Sequence, residues 1–456
     1  MSDPQRNQPT NEAGRQFVAE RIRRPVQAFM AVEASGGIVL LAGALIALVW
    51  ANSPWDQKYF DLWNTKLAID LNIITIKESL GHAVNDGLMA IFFFVVGMEI
   101  KRELVHGELA TPRQAALPVA AAIGGMVVPA AIYAAWNLGG DGAKGWGIPM
   151  ATDIAFAIGV LSVLGRRAPF SLKVFLLALA VADDLGAIAV IALFYTEQIA
   201  LGPSLWAIAL LVAIVALNRG GVRAVEVYVA LGICFWVAVL KSGIHATVAG
   251  VVLAMLTPSK PYYAIGEFEE EIPGLLDRYR EAMAAGDHDA AQQLLAQIEM
   301  LTQGTESPLD RLEHRLAPWS SYVIVPIFAL ANAGVALSAD MISGALTSPV
   351  TLGVVMGLVV GKPVGVLFAA WLAVRMGLAE FPRGVSARHM VGIGLLAGIG
   401  FTVSLFVNGL AFDDPALLDE GKVGILAASV IAGVVGFIYL WFAPGEPDAA
   451  DEPTRA

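Results

Sequence analysis

Two aspartates, Asp183 and Asp184, stand side by side in LALAVADDLGAIAVIALF (177–194), a stretch with no other charge. A second apolar stretch, GIPMATDIAFAIG (147–159), carries Thr152 and Asp153. A third, VVGKPVGV (359–366), carries Lys362 followed at once by Pro363. Carboxylates with a hydroxyl beside them are hard oxygen ligands, suited to Na⁺, Li⁺ or a proton rather than to softer metals, which want His or Cys clusters. Burial and a second nearby carboxylate both favour the protonated acid, so such a pair can hold protons and give them up to an arriving cation. If H⁺ and Na⁺ compete for one site that crosses poorly when empty, the result is exchange. Two carboxylates can release more charge than one Na⁺ brings, so electrogenic exchange is open to them. Lys362 is the natural counter-charge for one aspartate, whether for transport or only to hold the structure.

These residues need elements that can bury them. The chain of 456 residues is 57% hydrophobic and 15% charged, against about 25% charged in soluble domains. Apolar runs long enough to span a bilayer recur throughout, so the composition describes an all-α polytopic membrane protein. Candidate spans are 33–52, 84–104, 116–137, 147–165, 172–195, 204–218, 225–240, 244–257, 319–337, 350–374, 389–412 and 422–443. A charge at mid-membrane costs roughly 2.5–3.5 kcal/mol on insertion scales and generally faces an inner cavity that serves transport. Asp183 and Asp184 lie near the middle of the fifth span. Helix neighbours point about 100° apart, so one can line a cavity while the other meets a neighbouring helix. Gly147 and Pro149 precede Asp153, and Gly398 and Gly400 interrupt LLAGIGFTVSLF (395–406), ahead of Thr402 and Ser404. Broken helices at membrane depth are tolerated where they line a cavity or are covered by protein. Their placement, one in each half of the chain, suggests inverted-topology repeats with an ion site between them.

Arginine crowds alternate connections: the N-terminal tail (Arg15, Arg21, Arg23, Arg24), 101–114, 165–173, 218–223, the loop from Lys260 to Arg315, and 375–384. The intervening connections 137–144, 195–202 and 411–422 have none. By the positive-inside bias both termini are cytoplasmic. The net charge of −11 lies mostly in loops and tails, and no basic cluster suggests nucleic acid. The single cysteine, Cys234, leaves no disulfide framework. Residues 1–26 read as a polar tail without a removable signal peptide, residues 27–443 as the transport domain and residues 444–456 as a second tail. Inside the loop at 258–316, Ile272, Leu275, Leu276, Tyr279 and Met283 recur at helical spacing. So do Ala290, Leu294, Leu295, Ile298 and Leu301, after the turn AGD (285–287) with Asp287 as N-cap. That pattern reads as an amphipathic helical hairpin, with a solvated linker as the alternative.

Several long strings resemble the NhaA sodium/proton antiporters of bacterial inner membranes: NDGLMAIFFFVVGMEIKREL (85–104), IPMATDIAFAIGVL (148–161), LALAVADDLGAIAVIALFYT (177–196), LKSGIHATVAGV (240–251), RLEHRLAPW (311–319), FALANAGV (328–335), GKPVG (361–365) and GIGFTVS (398–404). The resemblance covers roughly 27–442 apart from 260–308. This family is itself a known example of the inverted-repeat architecture. The resemblance implies about twelve transmembrane helices, with the fourth and eleventh unwound and crossing near mid-membrane. It implies that Asp183 and Asp184 bind Na⁺ and protons, with Asp184 the more direct Na⁺ ligand and Thr152 assisting. Asp153 and Lys362 would compensate helix ends at the crossing, with Lys362 also paired to Asp183. The transported ions would be Na⁺, Li⁺ and H⁺, with more protons than sodium ions per cycle, no cofactor and no enzymatic step. The proton gradient would drive cytoplasmic Na⁺ or Li⁺ outward, and the family allows a homodimer. Alkaline activation would involve Glu99, Arg102 and Glu103, with Glu313 and His314 before span nine and His245 on the other side. A charged rim and a packing histidine are the plainer readings of those residues. Two departures fall in this region. Ala317 stands where the family often has a second histidine, and the loop at 260–308 is longer than in the best-known pattern.

Three other functions compete. A solute symporter would want a larger polar pocket than these carboxylates, Lys362 and Asn332 provide. An intramembrane aspartyl protease would want two aspartates on separate helices and a GxGD motif. A non-transporting sensor would use the long loop as its output.

Overall fold

The computed structural model describes residues 35–443 except 71–74, 197–198, 221, 223–224, 262–264 and 383. The two tails with the N-terminal arginines, and the first residues of the first span, lie outside the described residues. The chain is largely helical. In order the elements are α1 (Ser35–Ala51), α2 (Asp56–Asn64), β1 (Lys66–Asp70), β2 (Thr75–Ser79), α3 (Leu80–His106), α4 (Pro112–Asn137), α5 (Asp141–Met150), α6 (Ile154–Val163), α7 (Phe170–Phe194), α8 (Leu201–Arg219), α9 (Val225–Ser242), α10 (Ala246–Leu256), α11 (Ile265–Ala284), α12 (His288–Thr305), α13 (Pro308–Trp319), α14 (Val325–Asn332), α15 (Ala339–Ala345), α16 (Pro349–Arg375), α17 (Ala387–Ala397), α18 (Phe401–Ala411) and α19 (Pro415–Trp441).

Local chemistry sets many of the helix starts. The side chains of Thr111, Ser348 and Asp414 accept backbone N–H groups at the starts of α4, α16 and α19, and each is followed by proline. Proline suits the first turn, where its missing N–H has no helical partner to lose.

Each of the twelve candidate stretches contains helix among its described residues. Among the described residues, six single helices are long and apolar enough to cross a bilayer: α3, α4, α7, α8, α16 and α19. Three bent pairs raise the number to nine if each is one span: α1 with α2 at 115°, α5 with α6 at 44°, and α17 with α18 at 41°. The remaining stretches, on α9, α10 and α13–α14, are shorter helical pieces. The protein is thus a multi-pass membrane protein.

The wholly helical expectation needs one correction. β1 and β2 pair antiparallel, Lys66 opposite Ser79 and Asp70 opposite Thr75. KLAID carries three consecutive apolar residues and TIKES only one, so no period-two alternation marks this hairpin in the sequence. This segment lies between the first two spans and is too polar for the bilayer core.

The 258–316 loop contains the helical hairpin. Gly286 makes its turn at φ +73°, a left-handed conformation that glycine adopts without strain. The Asp287 side chain accepts the Ala290 N–H at 3.0 Å and starts α12. Ala291, Leu294 and Leu301 are buried on α12, while Leu276, Met283 and Leu295 face outward. The apolar stripe is therefore wider than the seam that two helices can bury.

One close contact positions the charged centre. α4 and α16 approach until a Cβ on Gly365 would lie 2.1 Å from the Gly124 carbonyl oxygen. Only glycine permits that approach, as in small-residue contacts between membrane helices. A π-helical turn at Gly357–Gly361 then precedes Lys362. Such turns occur where a helix must absorb an irregularity, here Pro363, which has no N–H to donate.

Candidate functional site

The breaks after α5 and α17 meet, and each broken helix completes the other's hydrogen bonds. The Asp153 N–H donates to the Ile399 carbonyl at 2.7 Å. The Thr152 hydroxyl donates to the Ala397 carbonyl at 2.9 Å. In return the Ser404 hydroxyl donates to the Ile148 carbonyl at 2.7 Å. The backbone groups that a break leaves unsatisfied in a membrane are thus bonded across the crossing.

Asp153 serves two helix starts. Its Oδ1 accepts the Phe156 N–H at 2.9 Å, capping α6. Its Oδ2 accepts the Thr402 N–H at 3.1 Å and the Thr402 hydroxyl at 2.5 Å, at the start of α18. Two positive helix ends therefore converge on one buried carboxylate. Lys362 does the complementary job. Its Nζ donates to the Met150 carbonyl at the end of α5 and to Asp183 Oδ2 at 2.5 Å. The ion pair is buried on both sides, each side chain 1% exposed.

α7 presents Asp183 and Asp184 beside this crossing, and both are buried. Asp183 spends one oxygen on Lys362. Among the described residues, Asp183 Oδ1 and Asp184 Oδ1 are buried without a hydrogen-bond partner. Unmet buried acceptors cost roughly 1–3 kcal/mol each, more when charged, and so stand open to a proton or a cation. Thr152 lies beside Asp183, and Asp184 lies within electrostatic reach of Asp183, Asp153, Glu99 and Lys362. The structure thus gathers Asp183, Asp184, Thr152, Asp153 and Lys362 into one cluster.

The other singled-out residues lie elsewhere. Arg102 on α3 pairs with Glu313 on α13. Burial pushes the Glu313 carboxyl up, against the pull of Arg102. Glu103 turns back on its own helix end, where its Oε2 accepts the Glu108 N–H at 3.0 Å. Glu99 lies one turn further inward and feels Glu313 and Arg102. His314 points away, 75% exposed, and meets Glu306 at 3.1 Å. His245 Nε2 contacts the Tyr195 carbonyl at the far end of α7. The rim residues Arg102 and Glu313 are therefore brought together, whereas His314 and His245 join neither that pair nor the aspartates.

Sequence reasoning noted Thr402 and Ser404 but gave them no task. Their signal was position, since both fall in the first turn after a glycine break. Ser429 was missed altogether. Its hydroxyl accepts the Phe401 N–H at 3.2 Å and so serves the start of α18 from α19. A lone hydroxyl in an apolar helix gives no hint of that.

The family model described as Na+/H+ antiporter 1 matches residues 27–440. The chain is 48% identical to a Na(+)/H(+) antiporter NhaA of Oleidesulfovibrio alaskensis, over 92% of this chain and 94% of that protein. It is 48% identical to NhaA 2 of Syntrophotalea carbinolica, over 92% and 96%. It is 45% identical to NhaA of Koribacter versatilis, over 98% of both. Similarity of this degree over nearly the full length reflects common descent: the chain belongs to the Na+/H+ antiporter 1 family, whose members are transporters and not enzymes.

Proposed function

We propose that this protein is a secondary transporter that exchanges cytoplasmic Na⁺ or Li⁺ for external H⁺ in the bacterial inner membrane. The observation that carries the reading is the buried pair Asp183 and Asp184, each with an unpartnered oxygen, beside two broken helices. Sodium and proton compete for those oxygens. When Na⁺ binds, mainly on Asp184 with help from Asp183 and Thr152, the protons leave. Loss of more than one proton per Na⁺ makes the exchange electrogenic. Asp153 and Lys362 neutralise the helix ends, so the crossing keeps its shape while the pair changes charge. No cofactor takes part.

The same reading includes twelve membrane helices in two inverted repeats, with both termini cytoplasmic. It rests on the twelve apolar stretches and on the arginine bias of alternate connections. It also includes pH control from the rim at Glu99, Arg102, Glu103, Glu313 and His314, and from His245. The support is that Arg102 and Glu313 join α3 to the loop side, while Glu99 on α3 lies within reach of Asp184. The family also allows assembly as a homodimer.

The test is ΔpH in energised inside-out membrane vesicles, with NaCl or LiCl added across a pH series. Na⁺ and Li⁺ collapse the gradient with the wild type and not with Asp183→Asn or Asp184→Asn. No collapse at any pH, with the protein verified in the membrane, overturns the exchange reading.

A further inference from the structure

Away from the aspartate pair, an open groove of about 450 Å³ runs between the first turn of α17 and the last turns of α19. Val435, Ile438, Tyr439, Phe442 and Ala443 form its wall, and among the described residues Arg388 is the one charged residue that lines it. The wall is continuous with the outer face of α19, where Val430, Ile431 and Val434 are exposed. On a membrane helix such a face meets acyl chains.

Arg388 sits at the polar edge of the groove. A reciprocal cap fixes the turn that carries it. The Ser386 hydroxyl accepts the His389 N–H at 3.3 Å, and the Ser386 N–H donates to His389 Nδ1 at 3.1 Å. Arg388 is exposed, and among the described residues no carboxylate forms an ion pair with it. Arg167 stands by the same end of α19 but is engaged. Its guanidinium lies 4.4 Å over the Trp441 ring and donates to the Trp441 carbonyl at 2.5 Å. The end of α19 is therefore held in place, while Arg388 remains open to an anion. Aromatic residues such as Tyr439 and Trp441 are enriched at the depth of lipid headgroups. The site therefore requires an amphipath with an anionic head and an apolar tail.

We propose that this groove binds an anionic phospholipid, with an acyl chain against Val435, Ile438 and Phe442 and the headgroup phosphate on Arg388. Only the choice of the cytoplasmic leaflet depends on the orientation argued above. Basic pockets between membrane helices on that side recognise such headgroups.

The experiment is a thermal-shift and native mass-spectrometry titration of the purified full chain in phosphatidylcholine nanodiscs containing increasing phosphatidylglycerol. The wild type is expected to gain stability saturably and to retain bound phosphatidylglycerol. Arg388→Gln should need about fivefold more phosphatidylglycerol, the worth of one arginine near an anionic surface. Arg388→Lys should recover most of that loss. Val435→Trp, which fills the groove and keeps the charge, should lose the retained lipid. Glycerol phosphate in solution is the control for a headgroup without its tail, and it should not substitute. Equal titrations for wild type, Arg388→Gln and Val435→Trp would overturn the proposal, as would full substitution by soluble glycerol phosphate. No arm depends on transport, so failure here is distinct from failure of the exchange reading.

Discussion

The membrane crossing and the charged rim use the same residue types in opposite ways. At the crossing, Asp153, Asp183, Asp184 and Lys362 are all buried. Two of them are tied to helix ends, and two carboxylate oxygens are left over. At the rim, Arg102 is one-third exposed, Glu103 caps its own helix and His314 faces solvent. Where water is absent, each charge must be matched by a helix end, an ion pair or cargo. Where water is present, a charge can be spared, and its work is limited to adjustment. Substitutions at the crossing should therefore change both fold and transport, and those at the rim mainly pH dependence.

The largest effect should come from Lys362→Met. It strands Asp183 in a buried site, and breaking a buried pair from one side costs about 3–5 kcal/mol. The double variant Lys362→Met with Asp183→Asn should recover much of that loss, as read by denaturant unfolding in detergent. If the two losses simply add, the ion pair does not hold the crossing together. Asp153→Ala comes next. It removes caps from α6 and α18 and strands the Thr402 hydroxyl, for about 2–4 kcal/mol in the same assay. Asp153→Asn should cost less, because the amide oxygen still caps one helix. Gly365→Ala should cost about 1–3 kcal/mol by overpacking against Gly124, and should lower transport by displacing Lys362.

The rim predictions are smaller and depend on pH. Burial raises the Glu313 carboxyl above its ordinary value of 4.5. The folded rim then holds that proton better than the unfolded chain does. The associated stability is complete below pH 4.5 and is lost as pH rises through the raised value. Hydrogen exchange in 308–319, corrected for its intrinsic rate, should accelerate over that window. Glu313→Gln should flatten the pH dependence, and an unchanged profile would remove Glu313 from the rim's response. His314→Ala should have the smallest effect, under about 0.5 kcal/mol, as for exposed ion pairs. A large shift in the pH profile of transport with His314→Ala would erase the distinction between partnered and solvent-facing rim residues.

The sequence by itself determined the membrane class, because long apolar runs leave no other solvent for the helices. It also determined the short list of buried charges, since a carboxylate or amine in such a run stands out against its neighbours. The Gly and Pro residues at 147–149 and 398–400 were legible signs of broken helices for the same reason, although the first break itself falls at 151–153, and Asp287 was legible as the cap of a loop helix. The β-hairpin at 66–79 was overlooked because its strands are only five residues each and carry no polar/apolar alternation. Only the tertiary structure decided partners. The family resemblance implied helix-end compensation by Asp153 and Lys362 and a Lys362–Asp183 pair, but nothing in composition or spacing states which atoms meet: that Asp153 also caps a helix 248 positions onward, starting at Phe401, or that Lys362 closes α5 through the Met150 carbonyl. Those bonds run between helices far apart in the chain, and hydrogen bonding across space leaves no periodic trace in sequence. The same holds for His314 and Glu313. They are adjacent in the chain, yet one is buried against Arg102 and the other turned to water, because a helix sends neighbours in different directions.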